Sequence, residues 1–228
     1  YFLHKFRIWD IRTANGVDCF IANSEFIKRR INKCYRRDAE VIYPPVDVSL
    51  FNLHEKKGNY YLAASRLVPY KRIDLIAETF VMMPDKQLKI IGDGPQMAKI
   101  VAIAGQAPNI EILGYQSNEI MVRHMQTAKA FVFAAEEDFG IIPVEAQACG
   151  TPVIAFGKGG GLETVHHKVS GIHFAEQTTA CLRNAVLEFE KIEAEFCAHK
   201  IRANAEKFSS EVFRTRLSNL VEKQLRAL

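Results

Sequence analysis

The sequence predicts a doubly wound α/β domain built on a parallel sheet, and two observations carry that reading. Six short β-type runs recur through the bulk of the chain: NYYLAA (59–64), QLKII (87–91), IEIL (110–113), AFVFA (130–134), PVIAF (152–156) and GIHF (171–174). These runs are largely apolar throughout, which is the pattern of strands covered on both faces. Helix-like segments separate them, at about 70–83, 95–104, 117–128, 143–149 and 161–167. With right-handed crossovers, such an alternation places helices on both sides of one sheet.

Taken in order, the elements have local causes. DCFIANS (18–24) reads as a strand ending at a helix cap, Ser24, and the helix FIKRRINKCY follows. VIYPPVD (41–47) reads as a strand entering a double-proline turn, and VDVSLFNLHEKKGN as a polar connector. Ser117 caps the helix that begins near Asn118. Pro143 suits the first turn of PVEAQAC, and Gly150-Thr151-Pro152 ends that helix. Two long helices, about 178–206 and 210–227, close the chain; the second keeps Val212, Phe213, Leu217, Leu220, Val221 and Leu225 largely on one face.

Composition bounds the rest. The 228 residues allow one large or two small domains, and 48% hydrophobic with 25% charged residues suits a soluble core. The net charge of +4 fits an anionic ligand or a membrane surface without requiring either, and nothing points to nucleic acid. Five cysteines, with no C-x-x-C pair and no His at metal-ligand spacing, predict a reduced cytoplasmic protein without a metal. No apolar run approaches the ~18 residues of a membrane span. Lys5, Arg7, Asp10 and Arg12 interrupt the start, so no signal peptide is visible. The first residue is Tyr1 rather than Met, which suggests a fragment or processed product of a longer chain.

The chemistry-bearing residues fall on one edge. In a doubly wound sheet, ligands bind outside the carboxyl ends of the strands. Here the strands are followed in turn by SRLVPYKR, GDGP, GYQS, EEDFGIIPVEA and GKGGG. Arg66 and Lys71 can neutralise a diphosphate, the first as a fork donor and the second as a compact charge. Isolated, such a pair reads more simply as solvated loop charge; its position at the strand ends reverses that. GDGP, with Gly92 and Gly94, reads as part of the donor-binding edge or, equally well, as a plain turn before a helix, and GKGGG permits close backbone approach to an anion. EEDFGIIPVEA cannot be one continuous helix, because Gly140 weakens it and Pro143 blocks its interior. The Gly and Pro instead fold the segment back, so that Glu137 in the loop and Glu145 in the following helix both face one ligand. A carboxylate with free lone pairs accepts paired sugar hydroxyls; complementing the helix dipole is the alternative role for Glu145.

With these motifs assembled, the chain resembles the C-terminal half of a family-4, retaining glycosyltransferase with the GT-B fold. SRLVPYKR, IIGDGP, ILGY, EDFGIIPVEA with its E-x(7)-E pattern, and GTPVIAF-GKGGGLETV follow in that family's order, over roughly residues 18–225. YPPVD and YKR are similar to bacterial mannosyltransferases of polysaccharide and O-antigen assembly. The resemblance implies transfer of a sugar, mannose from GDP-mannose on the subgroup likeness, from a nucleotide-diphosphate donor to a glycan or lipid-linked acceptor. It implies that Arg66 and Lys71 bind the diphosphate and stabilise the leaving group. Glu145 would accept from the ribose, and Glu137 would hold a donor-sugar hydroxyl with the N–H groups of Phe139, Gly140 and Ile141. Leu113, Gly114 and Tyr115 would receive the base, and Gly160 and Gly161 would lie in the loop facing the phosphates. No metal would be required, since no D-x-D motif is present. Contact with the inner face of a membrane is compatible with such a role.

The same resemblance divides the chain. Residues 1–50 read as the tail of an N-terminal acceptor domain plus a linker, 51–206 as a Rossmann-like nucleotide-sugar domain, and 207–228 as a helix crossing back to the N-terminal domain. A simple N-terminal extension of one domain is the competing reading of 1–50. Most of the acceptor domain would be missing, so the chain would be inactive alone and the apolar face of 210–227 would lack its partner. Arg72 stands where many members carry glycine. A non-catalytic nucleotide-binding module and a sugar-nucleotide epimerase compete as functions. The intact set Arg66, Lys71, Glu137 and Glu145 argues against the first, and the E-x(7)-E loop against the second.

Overall fold

The structure is a computed structural model that describes residues 1–105 and 107–226. Its main body is a sheet of six parallel strands: β3 (Tyr60–Ala64), β4 (Gln87–Ile91), β5 (Ile110–Gly114), β6 (Ala130–Phe133), β7 (Val153–Phe156) and β8 (Gly171–Phe174). Before it come helix α1 (Phe2–Ala14), strand β1 (Phe20–Ala22), helix α2 (Glu25–Tyr35) and strand β2 (Ala39–Val41). Strands β1 and β2 pair in parallel as a separate two-stranded sheet. The crossovers of the large sheet are α3 (Ile73–Val81), α4 (Met97–Ala104), α5 (Asn118–Thr127), α6 (Ile141–Ala148) and the short α7 (Gly161–Thr164). Helices α8 (Thr179–Ile192), α9 (Ala198–Glu206) and α10 (Ser210–Leu225) follow.

The strand order is β5-β4-β3-β6-β7-β8. The chain therefore winds outward from β3 in one direction, then returns to β6 and winds in the other. The loops after β3 and β6 leave neighbouring strands on opposite sides of the sheet, which opens a crevice between them. All six expected strands form, within a residue or two of their predicted ends, because their apolar side chains are buried on both faces. One core layer gathers Tyr61, Phe80, Ile90 and Phe189, and the other Leu62, Phe131, Val144 and Phe208.

Four elements differ from expectation. Residues 2–14 form α1, which the charged start had not suggested; Phe2, Phe6 and Trp9 on it are exposed. Strand β2 ends at Val41, before the expected 41–47 strand, as Pro44 and Pro45 further along lack the N–H groups a ladder needs. Helix α6 starts at Ile141, two residues before Pro143, which therefore occupies the first turn, where its missing N–H costs nothing. The expected 178–206 helix is broken. Phe196 takes an extended backbone and packs on Phe189 at 5.4 Å, and the chain passes from one face of the sheet to the other, so that Ala205 of α9 joins the opposite layer.

On α10, Leu220 is buried and Val212, Phe213 and Leu217 are half-buried, while Val221 and Leu225 are exposed. The apolar face is thus partly covered rather than left wholly unpartnered, and around Leu220 it shares a small cavity with Glu40, Val41 and Ile42. Residue 227 of the expected helix lies outside the described residues. The connector is anchored firmly: the Arg202 guanidinium donates to the carbonyls of Phe51 (2.5 Å) and Ala148 (2.6 Å). Lys57 Nζ donates to Gln126 O, Cys149 O and Thr151 Oγ1.

Candidate donor-binding cleft

A cleft of about 960 Å³ opens at the carboxyl ends of the strands, on the β3–β6 switch point. Arg66 and Lys71 reach it from the loop after β3, Gly92 from the loop after β4 and Tyr115 from the loop after β5. Glu137, Phe139, Gly140, Ile141 and Glu145 line it from the loop after β6 and from α6. The structure thus gathers nine of the sequence-predicted residues around one cavity.

The β3 and β4 loops interlock, which explains the two GDGP glycines. Leu67 N–H donates to Asp93 O (2.9 Å) and Gln96 N–H to Leu67 O (3.0 Å). A Cβ on Gly92 would sit 1.8 Å from Ser65 O, and one on Gly94 would sit 2.6 Å from Leu67 O. Both residues also have positive φ, 139° and 156°. Gly94 therefore supports the Arg66 loop from behind and does not line the cleft. Arg66 is exposed, and its guanidinium has no carboxylate partner among the described residues.

Lys71 ends a single 3-10 turn, Pro69–Lys71, and its Nζ is paired with Glu137 Oε1. The two side chains are largely shielded, 16% and 17% exposed. Arg72, at the family's glycine position, adopts the left-handed conformation (φ 55°) that glycine takes without strain. Its side chain approaches Asp74 and Gln177 at 3.4 Å and does not reach the cleft lining.

After β6 the chain turns through Gly140 at φ 87° into α6. The N–H groups of Phe139, Gly140 and Ile141 donate to no protein acceptor among the described residues, so they remain available at the cleft. The Phe139 ring itself is buried against Tyr43 (5.7 Å) and Phe208 (5.4 Å). Glu145 projects from α6 into the same cavity, and its carboxylate has no hydrogen-bond partner among the described residues. Burial pushes its pKa above the ordinary glutamate value.

The remaining expected residues lie behind the lining. Leu113 O accepts from the Gln116 amide (2.6 Å), and Gly114 O from Gly92 N–H (2.8 Å), so these two brace the loop after β5 while Tyr115 and Gln116 face the cavity. Gly160 and Gly161, expected to face the phosphates, are placed differently. Gly160 N–H is engaged by Glu137 O (2.7 Å), and a Cβ on Gly160 would meet Phe139 O at 2.0 Å. Gly160 packs against the 136–139 loop, which passes too close for any side chain, and a Cβ on Gly161 would meet Phe156 O at 2.8 Å; neither is among the cavity-lining residues.

The sequence reading missed several lining residues. Asn23 and Pro44 come from the first 50 residues and complete the lining. The strand-end rule applied to ANS (22–24) and YPP (43–45) would have found both. Ser65, Tyr70 and Asp138 also line it, each next to a predicted site residue, and so does Asn118 at the start of α5. Among the described residues, no group of His, Cys, Asp and Glu could hold a metal ion, and no helix is long and apolar enough to cross a membrane.

A six-stranded parallel sheet of this order, with its cleft at the switch point, is the Rossmann-like domain of the GT-B glycosyltransferases. Residues 50–208 match the family model "Glycosyl transferases group 1", and the chain belongs to that family. An uncharacterised glycosyltransferase of Methanocaldococcus jannaschii is 29% identical over 202 residues, covering 87% of this chain and 56% of the relative. Human alpha-1,3/1,6-mannosyltransferase is 24% identical over 257 residues, covering 93% of this chain and 60% of the relative. Among solved structures, sucrose-phosphate synthase from Thermosynechococcus elongatus shares the fold with a TM-score of 0.83 at 19% identity, covering 99% of this chain and 63% of that one. Anabaena HepE in complex with UDP-glucose does so with a TM-score of 0.81 at 20% identity, covering 95% and 67%. The chain spans about half the length of the curated relatives it matches, 56% in the Methanocaldococcus protein.

Proposed function

We propose that the chain is the donor-binding part of a retaining glycosyltransferase that takes a nucleotide-diphosphate sugar and serves a glycan or lipid-linked acceptor. The observation that carries this is Glu145: a carboxylate mostly withdrawn from water, facing the cavity, with no protein partner among the described residues. Burying such a group is costly unless a hydroxyl-rich ligand completes it. In this reading the ribose hydroxyls donate to Glu145. Arg66 and Lys71 neutralise the diphosphate, and the N–H groups of Phe139, Gly140 and Ile141, with Glu137, orient the sugar. The sugar C1–oxygen bond breaks, the diphosphate leaves with its charge stabilised, and an acceptor hydroxyl adds on the same face, giving up its proton to a leaving-group oxygen. No metal is needed, since Arg66, Lys71 and the free N–H groups supply the positive field.

Mannose, from GDP-mannose, is the sugar this reading favours. It is supported by the YPPVD and YKR segments and by the mannosyltransferase name of the human relative. Calorimetric titration with GDP-mannose, UDP-glucose and an ADP-sugar tests it. Tightest binding of GDP-mannose is expected, and tighter binding of a UDP- or ADP-sugar would replace mannose and keep the donor-binding role.

A further inference from the structure

The GGGLETV segment carries an acid, Glu163, that plays no part in the donor cleft described above. Its carboxylate instead bridges to the first 50 residues. Oε2 accepts from Glu25 N–H and Oε1 from Phe26 N–H, both at 2.8 Å, across 138 and 137 positions of sequence. These are the first two N–H groups of α2, an eleven-residue helix. The third, of Ile27, is taken by the cap Ser24 Oγ at 3.1 Å, and Lys28 N–H returns to Ser24 O at 2.9 Å. The start of α2 is therefore satisfied partly by its own cap and partly by a remote carboxylate. A negative charge there also complements the positive end of the helix.

The other end of the link is the donor loop. Glu163 sits in α7, and its own N–H donates to Gly160 O at 3.0 Å. Gly160 N–H in turn holds Glu137 O at 2.7 Å. On the near side, α2 carries Arg30, whose guanidinium lies 3.4 Å from Asp138, the residue after Glu137. Tyr43, downstream of α2, packs on Phe139. Its phenol is pushed up to about 12, first by burial and then by the charge of Glu163.

We propose that Glu163 is a positioning residue, a latch that holds the α2 segment beside the donor loop and so fixes Asn23 and Pro44 in the wall of the cleft. This rests on the donor-binding reading for its consequence, though not for its geometry. Moving α2 shifts the wall directly, and through Arg30, Tyr43 and α7 it disturbs the loop bearing Glu137. The latch therefore sets the width of the cleft without touching the ligand.

Hydrogen–deuterium exchange on the 228-residue chain, free of nucleotide, tests the geometry. In Glu163→Ala, peptides over 20–35 and 136–141 should both exchange faster, with β3 and β4 unchanged. Glu25→Pro provides a second variant. It removes one of the two donors, and proline suits the first helical position. It should give the same paired pattern more weakly. Faster exchange confined to 161–165, or no change at 136–141 in Glu25→Pro, overturns the latch. So does a loosening that spreads through β3 and β4 in both variants. Titration with GDP and UDP then reads the consequence: the dissociation constant of whichever binds should rise about fivefold in Glu163→Ala. An unchanged constant overturns the positioning role. If the wild-type chain binds neither nucleotide, the donor reading fails, and the exchange result alone decides whether the latch exists.

Discussion

Lys71 and Glu137, both lining the cleft, are paired with each other, joining the loop after β3 to the loop after β6. Each had been assigned a ligand group of its own, a phosphate and a sugar hydroxyl. In the structure they satisfy one another, and a largely shielded pair of this kind is costly to break from one side. If Lys71 receives a diphosphate, as proposed, that ligand competes with Glu137 for it.

The pairing separates two classes of ligand. Glu137→Ala should leave affinity for the free nucleoside diphosphate unchanged or improved, because Lys71 is released to the phosphates. The same variant should lose discrimination among sugars carried on one nucleotide. Calorimetry with GDP and with a set of GDP-sugars measures both. A loss of GDP affinity as severe as that of Glu145→Ala would assign Glu137 to the nucleotide instead.

Glu145 gives a pH dependence with a definite sign. Burial holds its pKa above the 4.5 of a free side chain. For folding, the stability this group contributes is complete below that value and is lost as pH rises through the raised pKa. Nucleotide binding runs the other way, because accepting ribose hydroxyls favours the ionised carboxylate. Affinity should be level near neutrality and fall as pH drops through the raised pKa, at a pH higher than an ordinary glutamate would give. Glu145→Gln should bind more weakly and flatten that limb. A limb that persists unchanged in Glu145→Gln belongs to another group.

Gly160 tests whether a residue outside the cavity shapes it. Gly160→Ala places a Cβ against Phe139 O, so the loop bearing Glu137 must move. Both the melting temperature and the nucleotide-sugar affinity should fall. Gly114→Ala meets no atom within 4 Å and carries only the strain of φ 66°, about 1 kcal/mol, so it should be the milder change. Lost affinity with an unchanged melting temperature in Gly160→Ala would put Gly160 against the ligand after all.

Divalent ions should not matter to donor binding. Chelator should leave nucleotide affinity unaltered, and added salt should weaken it, since Arg66 is exposed to screening. A large loss of affinity on chelation contradicts the metal-free reading.

The sheet was legible in the sequence because each strand is an apolar run bounded by helix caps or glycines, and burial on both faces enforces that pattern. The cleft followed from the strand-end rule, which needs only the order of elements. Less visible were features set by tertiary contacts. The break at Phe196 arises because that ring packs on Phe189, which no local preference signals. The backing role of Gly94 and Gly160 depends on how closely two loops approach, whereas a glycine that contacts a ligand looks the same in sequence. The Lys71–Glu137 pair joins residues 66 positions apart, each of which reads alone as a ligand contact. Helix α1 was missed because its apolar and charged residues do not segregate cleanly, and Phe2, Phe6 and Trp9 stay exposed.

Titration of the chain with GDP, UDP and ADP, in the absence of divalent ions, tests the central claim most directly. At least one nucleoside diphosphate should bind, and Glu145→Ala, while remaining folded, should weaken it by about tenfold to a hundredfold, the worth of hydrogen bonds to a charged group. Failure of all three to bind the folded chain, or equal binding by folded Glu145→Ala, would contradict the account.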